Sequence, residues 1–345
     1  TLAQARLKRE QARQELAEGL NPNAVKREQA QERQAQQLTF KAVAERWYKG
    51  KAELAKKPWA PATAKKARLY LDNDLLPALG KKPIAEVTRL DLINLNEKIE
   101  KRGAFDVAGK VREWLNAIFD DAFDRGEISH NPAYRLKASA YAGGVVSKPN
   151  PNVGFAGLPK LLADVEATNS HRVTKIAIRL LALTAVRPAE LRFAQWQEFD
   201  LEAATWHIPA ERMKMSRPHV VPLSQQALKL IAELKALNPK GYLFVIRGSN
   251  PISENTINKS LWLAGYKGKQ TGHGFRHLLS TELNERGYNS DWIEAQLAHS
   301  GENKIRAVYN HAEYLEQRRQ MLQEWADAID LAEQGANVMP LKRRA

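Results

Sequence analysis

The stretch Ala185-Val186-Arg187-Pro188-Ala189-Glu190-Leu191 holds an arginine immediately before a proline. A residue in that position avoids the α region, so Arg187 falls at a helix start, with Pro188 as the first helical residue. Its guanidinium then lies beside unpaired backbone N–H groups, an arrangement that favours anions. Glu190, three residues on, can orient it. His273 and Arg276 follow within His-Gly-Phe-Arg at a second helix start, where their i, i+3 spacing puts both on one side. A third cluster is Leu297-Ala298-His299, with Tyr309 ten residues later. Lys214 stands in the basic segment ERMKMSRP, between two short apolar runs. Arginine, lysine, histidine and tyrosine are the side chains that can stabilise and attack a phosphate without a metal. Each cluster alone also has an ordinary reading: a surface arginine, a chance His/Arg pair, a histidine ending a helix, a half-buried core tyrosine.

The rest of the composition removes other chemistries. There is no cysteine, which excludes disulfides, thiolate nucleophiles and Cys-ligated zinc. The eight histidines show no zinc spacing. No P-loop, H-E-x-x-H, G-x-S-x-G or dinucleotide fingerprint occurs. No metal and no cofactor are therefore expected. A net charge of +14 over 345 residues points to a polyanionic partner. No apolar run reaches the length of a membrane span.

The elements that must position these residues are read from periodicity and punctuation. Residues 1–38 are polar and helix-prone, either a solvated helix or a connector. Residues 39–136 form a helical unit, read as a four-helix bundle. Thr39 caps a helix carrying Phe40, Val43, Ala44 and Trp47. Thr88 and Asp91 make a capping box. Val111, Trp114, Leu115, Ile118, Phe119, Ala122 and Phe123 make one apolar face that stops at Gly126. Residues 137–157 are rich in Gly, Pro, Ser and Ala and are read as the interdomain linker, with Pro149, Pro151 and Gly154 as breakers. Residues 158–335 mix helices with few strands, and 336–345 are a tail. Thr205–Pro209 and His219–Leu223 flank the basic segment as a β-hairpin with Lys214 near its tip. Helices are expected over 173–183, from Ser224 to Leu237, from Ser253, over 275–287 and 290–298, and in a last segment carrying Leu315, Leu322, Trp325 and Ile329. Fold class is accordingly mainly α with a small β component (α+β).

Taken together and in this order, Arg187, Lys214, His273-x-x-Arg276, His299 and Tyr309 resemble the motif set of the tyrosine recombinase (phage integrase) family. The segments MKMSRPHVVPLS and LAHSGENKIRAVYNHAEYLEQRR resemble the integrases of prophages and genomic islands related to satellite phages. Ten residues separate His299 from Tyr309, where many family members have nine, and this subgroup tends to the longer spacing. Residues 1–22 resemble the end of that subgroup's arm-binding domain, which implies that most of that domain is missing here. The resemblance implies an all-helical core-binding domain before a mixed α/β catalytic domain. It implies a site-specific recombinase that cleaves and rejoins DNA through a 3′-phosphotyrosyl intermediate, to integrate or excise a prophage or genomic island. The implied partners are double-stranded attachment-site DNA, further copies of the chain in a tetramer, and host or phage DNA-bending and directionality proteins. No membrane is involved, and the implied location is the bacterial cytoplasm, at the nucleoid.

The chemistry agrees with that resemblance. Two guanidiniums, Arg187 and Arg276, offset the charge of a phosphodiester in its pentacoordinate transition state. Tyr309 attacks, His273 serves as base or phosphate clamp, Lys214 protonates the leaving 5′ oxygen, and His299 hydrogen-bonds the phosphate. Lys65, Lys66 and Arg68 are backbone-contact candidates in the helical domain, or else an ordinary solvated face. The C-terminal apolar stripe packs on its own domain or on a neighbouring subunit. Two alternatives share parts of this pattern: a type IB topoisomerase, and a catalytically idle DNA-binding or architectural protein. Tyr309→Phe is expected to abolish covalent attachment to nicked duplex DNA on a denaturing gel while leaving DNA binding nearly intact. Tyr314→Phe is expected to retain the adduct, and the opposite pattern would reassign the nucleophile.

Overall fold

A computed structural model describes residues 2–18, 21, 38–138, 150–299 and 313–335. The chain divides into two compact units, Thr1–Ser147 and Lys148–Ala345. Tyr309, most of the expected linker and the tail 336–345 lie outside the described residues.

The first unit begins with α1 (Leu2–Ala17), whose described side chains are exposed. Its packed part is built from α2 (Phe40–Lys49), α3 (Pro61–Tyr70), α4 (Arg89–Lys101) and α5 (Phe105–Asp124). The expected four main helices are thus present. A widened π turn (Leu71–Leu75) carries α3 on into a last helical turn, Leu76–Leu79. The Thr39 hydroxyl accepts from the Ala42 amide at 3.3 Å. The Thr88/Asp91 box is closed in both directions, at 3.3 Å and 2.7 Å. The periodic apolar residues of α2 and α5 meet in the core, where the Phe40 and Phe119 rings lie 5.8 Å apart. Phe123 departs from the expected stripe. It is exposed, because α5 ends at Asp124 and the chain turns away at Gly126, which takes a positive φ of 71°. Arg46 on α2 is gripped by Asp121 and Glu127, which pins the end of α5 onto α2.

The second unit starts earlier than the sequence suggests. α6 (Gly154–Ala167) occupies the last residues of the expected linker. Gly154, read as a breaker, is its first residue; Pro159 lies inside it, and the buried apolar face Leu158, Leu161, Leu162 and Val165 holds the helix. α7 (Arg172–Thr184) runs through the middle of the core, with Val173, Ile176, Ala177, Ile178, Leu180 and Leu181 all buried. α8 (Pro188–Arg192) follows. Next comes an antiparallel sheet ordered β1-β2-β3, from β1 (Phe199–Asp200), β2 (Thr205–Ile208) and β3 (His219–Pro222). Trp206 opposes Val221 and Ile208 opposes His219, which leaves 209–218 as the connecting loop that carries Lys214. The hairpin is as expected, whereas β1 is too short to leave a periodic signal. Then follow α9 (Gln225–Leu237), α10 (Thr256–Leu263), α11 (Gly274–Glu285), α12 (Ser290–Gln296) and α13 (Leu315–Glu333). α13 buries Met321, Leu322, Trp325 and Ile329 in the core of its own unit. Trp325 donates to the Ala182 carbonyl of α7 at 2.8 Å. The whole is α+β, mainly helical.

One glycine in the His-Gly-Phe-Arg run is sterically required. A Cβ on Gly274 would stand 2.3 Å from the Pro151 carbonyl oxygen, a backbone atom that cannot step aside alone. Gly274→Ala is therefore expected to destabilise the second unit by about 1–3 kcal/mol. Chemical denaturation checks it, and an unchanged midpoint would show that the 150–153 segment yields freely.

Candidate active site

Arg187 is the residue just before α8, in an extended conformation (φ −68°, ψ 142°), with Pro188 as the first helical residue. Glu190 is buried and holds Arg187 twice. Its carboxylate accepts from the Arg187 amide at 2.8 Å and from Nη1 at 2.7 Å. Nη2 reaches the Ala298 carbonyl at 3.3 Å. The orienting role read for Glu190 is what the geometry contains.

Arg276 lies in the first turn of α11 and is only 4 % exposed. Nη1 donates to the Ala185 carbonyl at 2.6 Å, and Nη2 to the Leu297 carbonyl at 2.6 Å. Nη2 also lies 3.1 Å from His299 Nε2. Burial, then the nearby Arg187 charge, pull its pKa down to about 10, while Glu190 and Glu294 oppose them. The group stays a cation at neutral pH. A guanidinium only donates, so the neutral His299 ring must accept at Nε2. Its Nδ1–H then points to Glu294 Oε2, 2.9 Å away. His299 is not a helix cap, since α12 ends at Gln296.

Two of these carbonyls belong to residues in the left-handed region. Ala185 has φ 52° and accepts from Arg276; Ala298 has φ 47° and accepts from Arg187. Neither is glycine, and each such conformation costs about 1–2 kcal/mol. Backbone held in that region at a polar cleft is a recurrent mark of function. The two arginines are cross-braced through these strained turns: each is tied to the loop that precedes or follows the other's anchor.

His273 is half-buried at the head of α11 and packs edge-on against His277, ring centres 5.8 Å apart. Burial first, then the charges of Arg276, His277, Arg187 and His299, hold its pKa below the usual histidine value. It is therefore kept neutral and able to take a proton. Arg187, Arg276 and His299 are brought together through the 297–299 segment, and His273 stands three residues before Arg276 at the head of α11. Lys214 is exposed on the 209–218 loop and is not drawn into contact with them. Its loop is anchored, however. Arg212, two residues earlier, bonds the Glu190 carbonyl and Glu198, and Glu198 accepts from Trp206 Nε1 at 2.9 Å. Tyr309 is outside the described residues. Among the described residues no cluster of His, Asp and Glu could hold a metal ion.

In the first unit Lys65 and Lys66 are exposed on α3, with Lys66 Nζ 5.7 Å from the Tyr70 ring centre. Arg68 is engaged by Glu45 at 2.7 Å and by Asp72, which raise its pKa further above the ordinary arginine value. Glu294, Arg212, and the carbonyls of Ala185, Leu297 and Ala298 were not singled out from sequence. Glu294 has no motif to mark it, and a carbonyl has no side-chain identity to read.

Residues 155–316 match the phage integrase family, and residues 40–139 match the phage integrase central domain. The prophage integrase IntZ of Escherichia coli (strain K12) is 40% identical over 338 residues, covering 96% of this chain and 81% of the relative. The integrase of Enterobacteria phage P4 is 35% identical over 350 residues, covering 96% and 78%. Among solved structures, the Tn1549 transposon integrase in complex with circular intermediate DNA has a TM-score of 0.64 at 16% identity, covering 82% of this chain and 99% of that one. A lambda integrase tetramer bound to a Holliday junction also gives 0.64 at 16% identity, covering 77% and 79%. These two share the fold.

His219 lies just behind the site, buried, with Nε2 donating to the Gln296 carbonyl at 3.1 Å. Burial first, then the Arg318, Arg276 and Arg187 charges, bring its pKa down to about 3. A depressed folded pKa means that the unfolded chain binds the proton first as pH falls. His219 therefore contributes stability that is complete above about 6.5 and is lost progressively from there toward about 3. Between pH 6.5 and 5 the loss is expected to be about 2 kcal/mol. Urea denaturation at both pH values checks it: His219→Gln is expected to flatten the dependence, and an identical slope in the variant would remove His219 as its cause.

Proposed function

The chain belongs to the phage integrase family, and from that membership we propose how its site acts as a tyrosine site-specific DNA recombinase, cleaving and rejoining strands to integrate or excise a prophage or genomic element. The observation that carries the assignment of roles is the convergence of Arg187 and Arg276 beside a neutral histidine. Among the described residues, Arg276 uses three of the five N–H donors a guanidinium has, and Arg187 two. The remaining donors take the non-bridging oxygens of the scissile phosphate and stabilise their charge as the phosphorus becomes pentacoordinate.

The phenolic oxygen of Tyr309 forms the new bond to phosphorus as the bond to the 5′ oxygen breaks. The tyrosine proton passes to His273, and the 5′ oxygen takes a proton from Lys214 as the anchored loop brings it over the DNA. His299, held at Nδ1 by Glu294, hydrogen-bonds the phosphate. Attack by a second strand's 5′ hydroxyl reverses the sequence without ATP. Of the basic residues on α3, Lys65 and Lys66 make the backbone contacts, whereas Arg68 serves mainly to join α3 to α2 through Glu45. Double-stranded attachment-site DNA is the substrate. Four copies act together on it, in the bacterial cytoplasm at the nucleoid, with DNA-bending and directionality proteins setting the direction.

A duplex nicked near the cleavage point, so that the short fragment diffuses away, is expected to trap the protein covalently in the presence of EDTA. Arg187→Lys and Arg276→Lys are each expected to slow single-turnover cleavage by about 100-fold or more, because a point charge cannot reproduce a two-pronged donor. Absence of any wild-type adduct would leave a DNA-binding protein without this chemistry, and an absolute requirement for magnesium would point to a different one.

A further inference from the structure

Arg318, on the first turn of α13, is 2 % exposed and does not belong to the motif set above. Its guanidinium makes four hydrogen bonds. Nε and Nη2 donate to Gln296 Oε1 at 3.1 Å and 2.8 Å. Nη2 also reaches the Val220 carbonyl of β3 at 2.6 Å, and Nη1 the Glu313 carbonyl at 3.1 Å. All three acceptors are neutral oxygens. Burial pulls the group's pKa down to about 10, so it remains charged. Burying a cation against neutral groups is a poor way to stabilise a core, since apolar side chains of similar volume commonly do as well or better. The placement calls for another reason.

Gln296 supplies it. Its side chain is fully buried, accepts from Arg318, and donates to the Thr184 carbonyl at 2.8 Å. Its own carbonyl accepts from His219. Thr184 directly precedes Ala185, and Gln296 directly precedes Leu297 and Ala298. Those three carbonyls are the ones that receive Arg276 and Arg187. The Arg318–Gln296 pair thus joins β3, α13 and the two strained turns on which both active-site guanidiniums rest. Only a planar donor with several N–H groups can reach acceptors on three elements at once.

We infer that Arg318 and Gln296 are positioning residues for the phosphate clamp: they hold the 184–185 and 296–298 turns at the separation that aims Arg187 and Arg276, without touching DNA themselves. This rests on the functional reading above. Misplacement of reacting groups by about 1 Å can slow a reaction by about 100-fold. Arg318→Lys keeps the charge and removes the fork; Gln296→Met keeps the volume and removes both hydrogen-bonding roles. Single-turnover cleavage of the nicked duplex is expected to fall at least about tenfold in each, while Kd for a short core duplex stays within about threefold of wild type. The double variant is expected to be no slower than the slower single one, because both act through one path. Thermal melting shows that each variant is folded at the assay temperature; should Gln296→Met fail to fold, Arg318→Lys decides alone. Wild-type cleavage rates in a folded Arg318→Lys protein, or a loss of rate matched by an equal loss of affinity, would overturn the inference. If the wild-type protein forms no adduct and Tyr309→Phe changes nothing, it is the functional reading that has failed instead.

Discussion

The second unit is organised around a desolvated guanidinium. Arg276 has almost no access to water, and an unpaired buried cation would be costly enough to unfold a domain of ordinary stability. Its acceptors are main-chain carbonyls at Ala185 and Leu297, in loops at the ends of two different helices. Those loops must therefore meet over α11. The left-handed turns at Ala185 and Ala298 are what bends the chain far enough to present their carbonyls. The surrounding helices supply the burial that keeps these turns in place. α7 contributes a largely buried face that includes Val173, Ile176, Ala177, Leu180 and Leu181, and α13 packs on the same core with Met321, Leu322 and Trp325.

The same arrangement separates the fixed parts of the site from the adjustable ones. Arg187, Arg276 and His273 stand at helix starts with buried or half-buried side chains, and the two arginines are held mainly by backbone carbonyls and the buried Glu190 carboxylate. Groups held in this way are pre-organised for a developing charge and need little rearrangement when it appears. Lys214 is the opposite case. It is exposed, beyond a loop whose root is tied down by Arg212 and Glu198. The loop that carries it is anchored at its base and exposed at Lys214. The carboxylates Glu190 and Glu294 orient cationic or ionisable groups.

Much was readable from the sequence because local chemistry dictated it. Arg187 before Pro188 had to be extended and Pro188 had to start a helix, since the pyrrolidine ring allows little else. Thr39, Thr88 and Ser224 began helices because a hydroxyl can satisfy an N–H that the helix leaves free. The hairpin around Lys214 followed from two short apolar runs on either side of a basic segment. What sequence alone could not reach were features whose cause lies far along the chain. Gly154 reads as a breaker in a linker, yet it begins α6, which buried apolar residues hold in place. Phe123 reads as core, yet nothing remains to cover it where α5 ends. Arg318 and Gln296 carry no motif that would mark them in the sequence. Their burial and the bonds that join them to Thr184 and Val220 arise only when segments more than a hundred residues apart in places are packed together. Residue identity and spacing determined the elements that carry Arg187, Lys214, His273 and Arg276; tertiary structure alone decided which carbonyls receive the guanidiniums, because a carbonyl looks the same in every residue until the fold selects it.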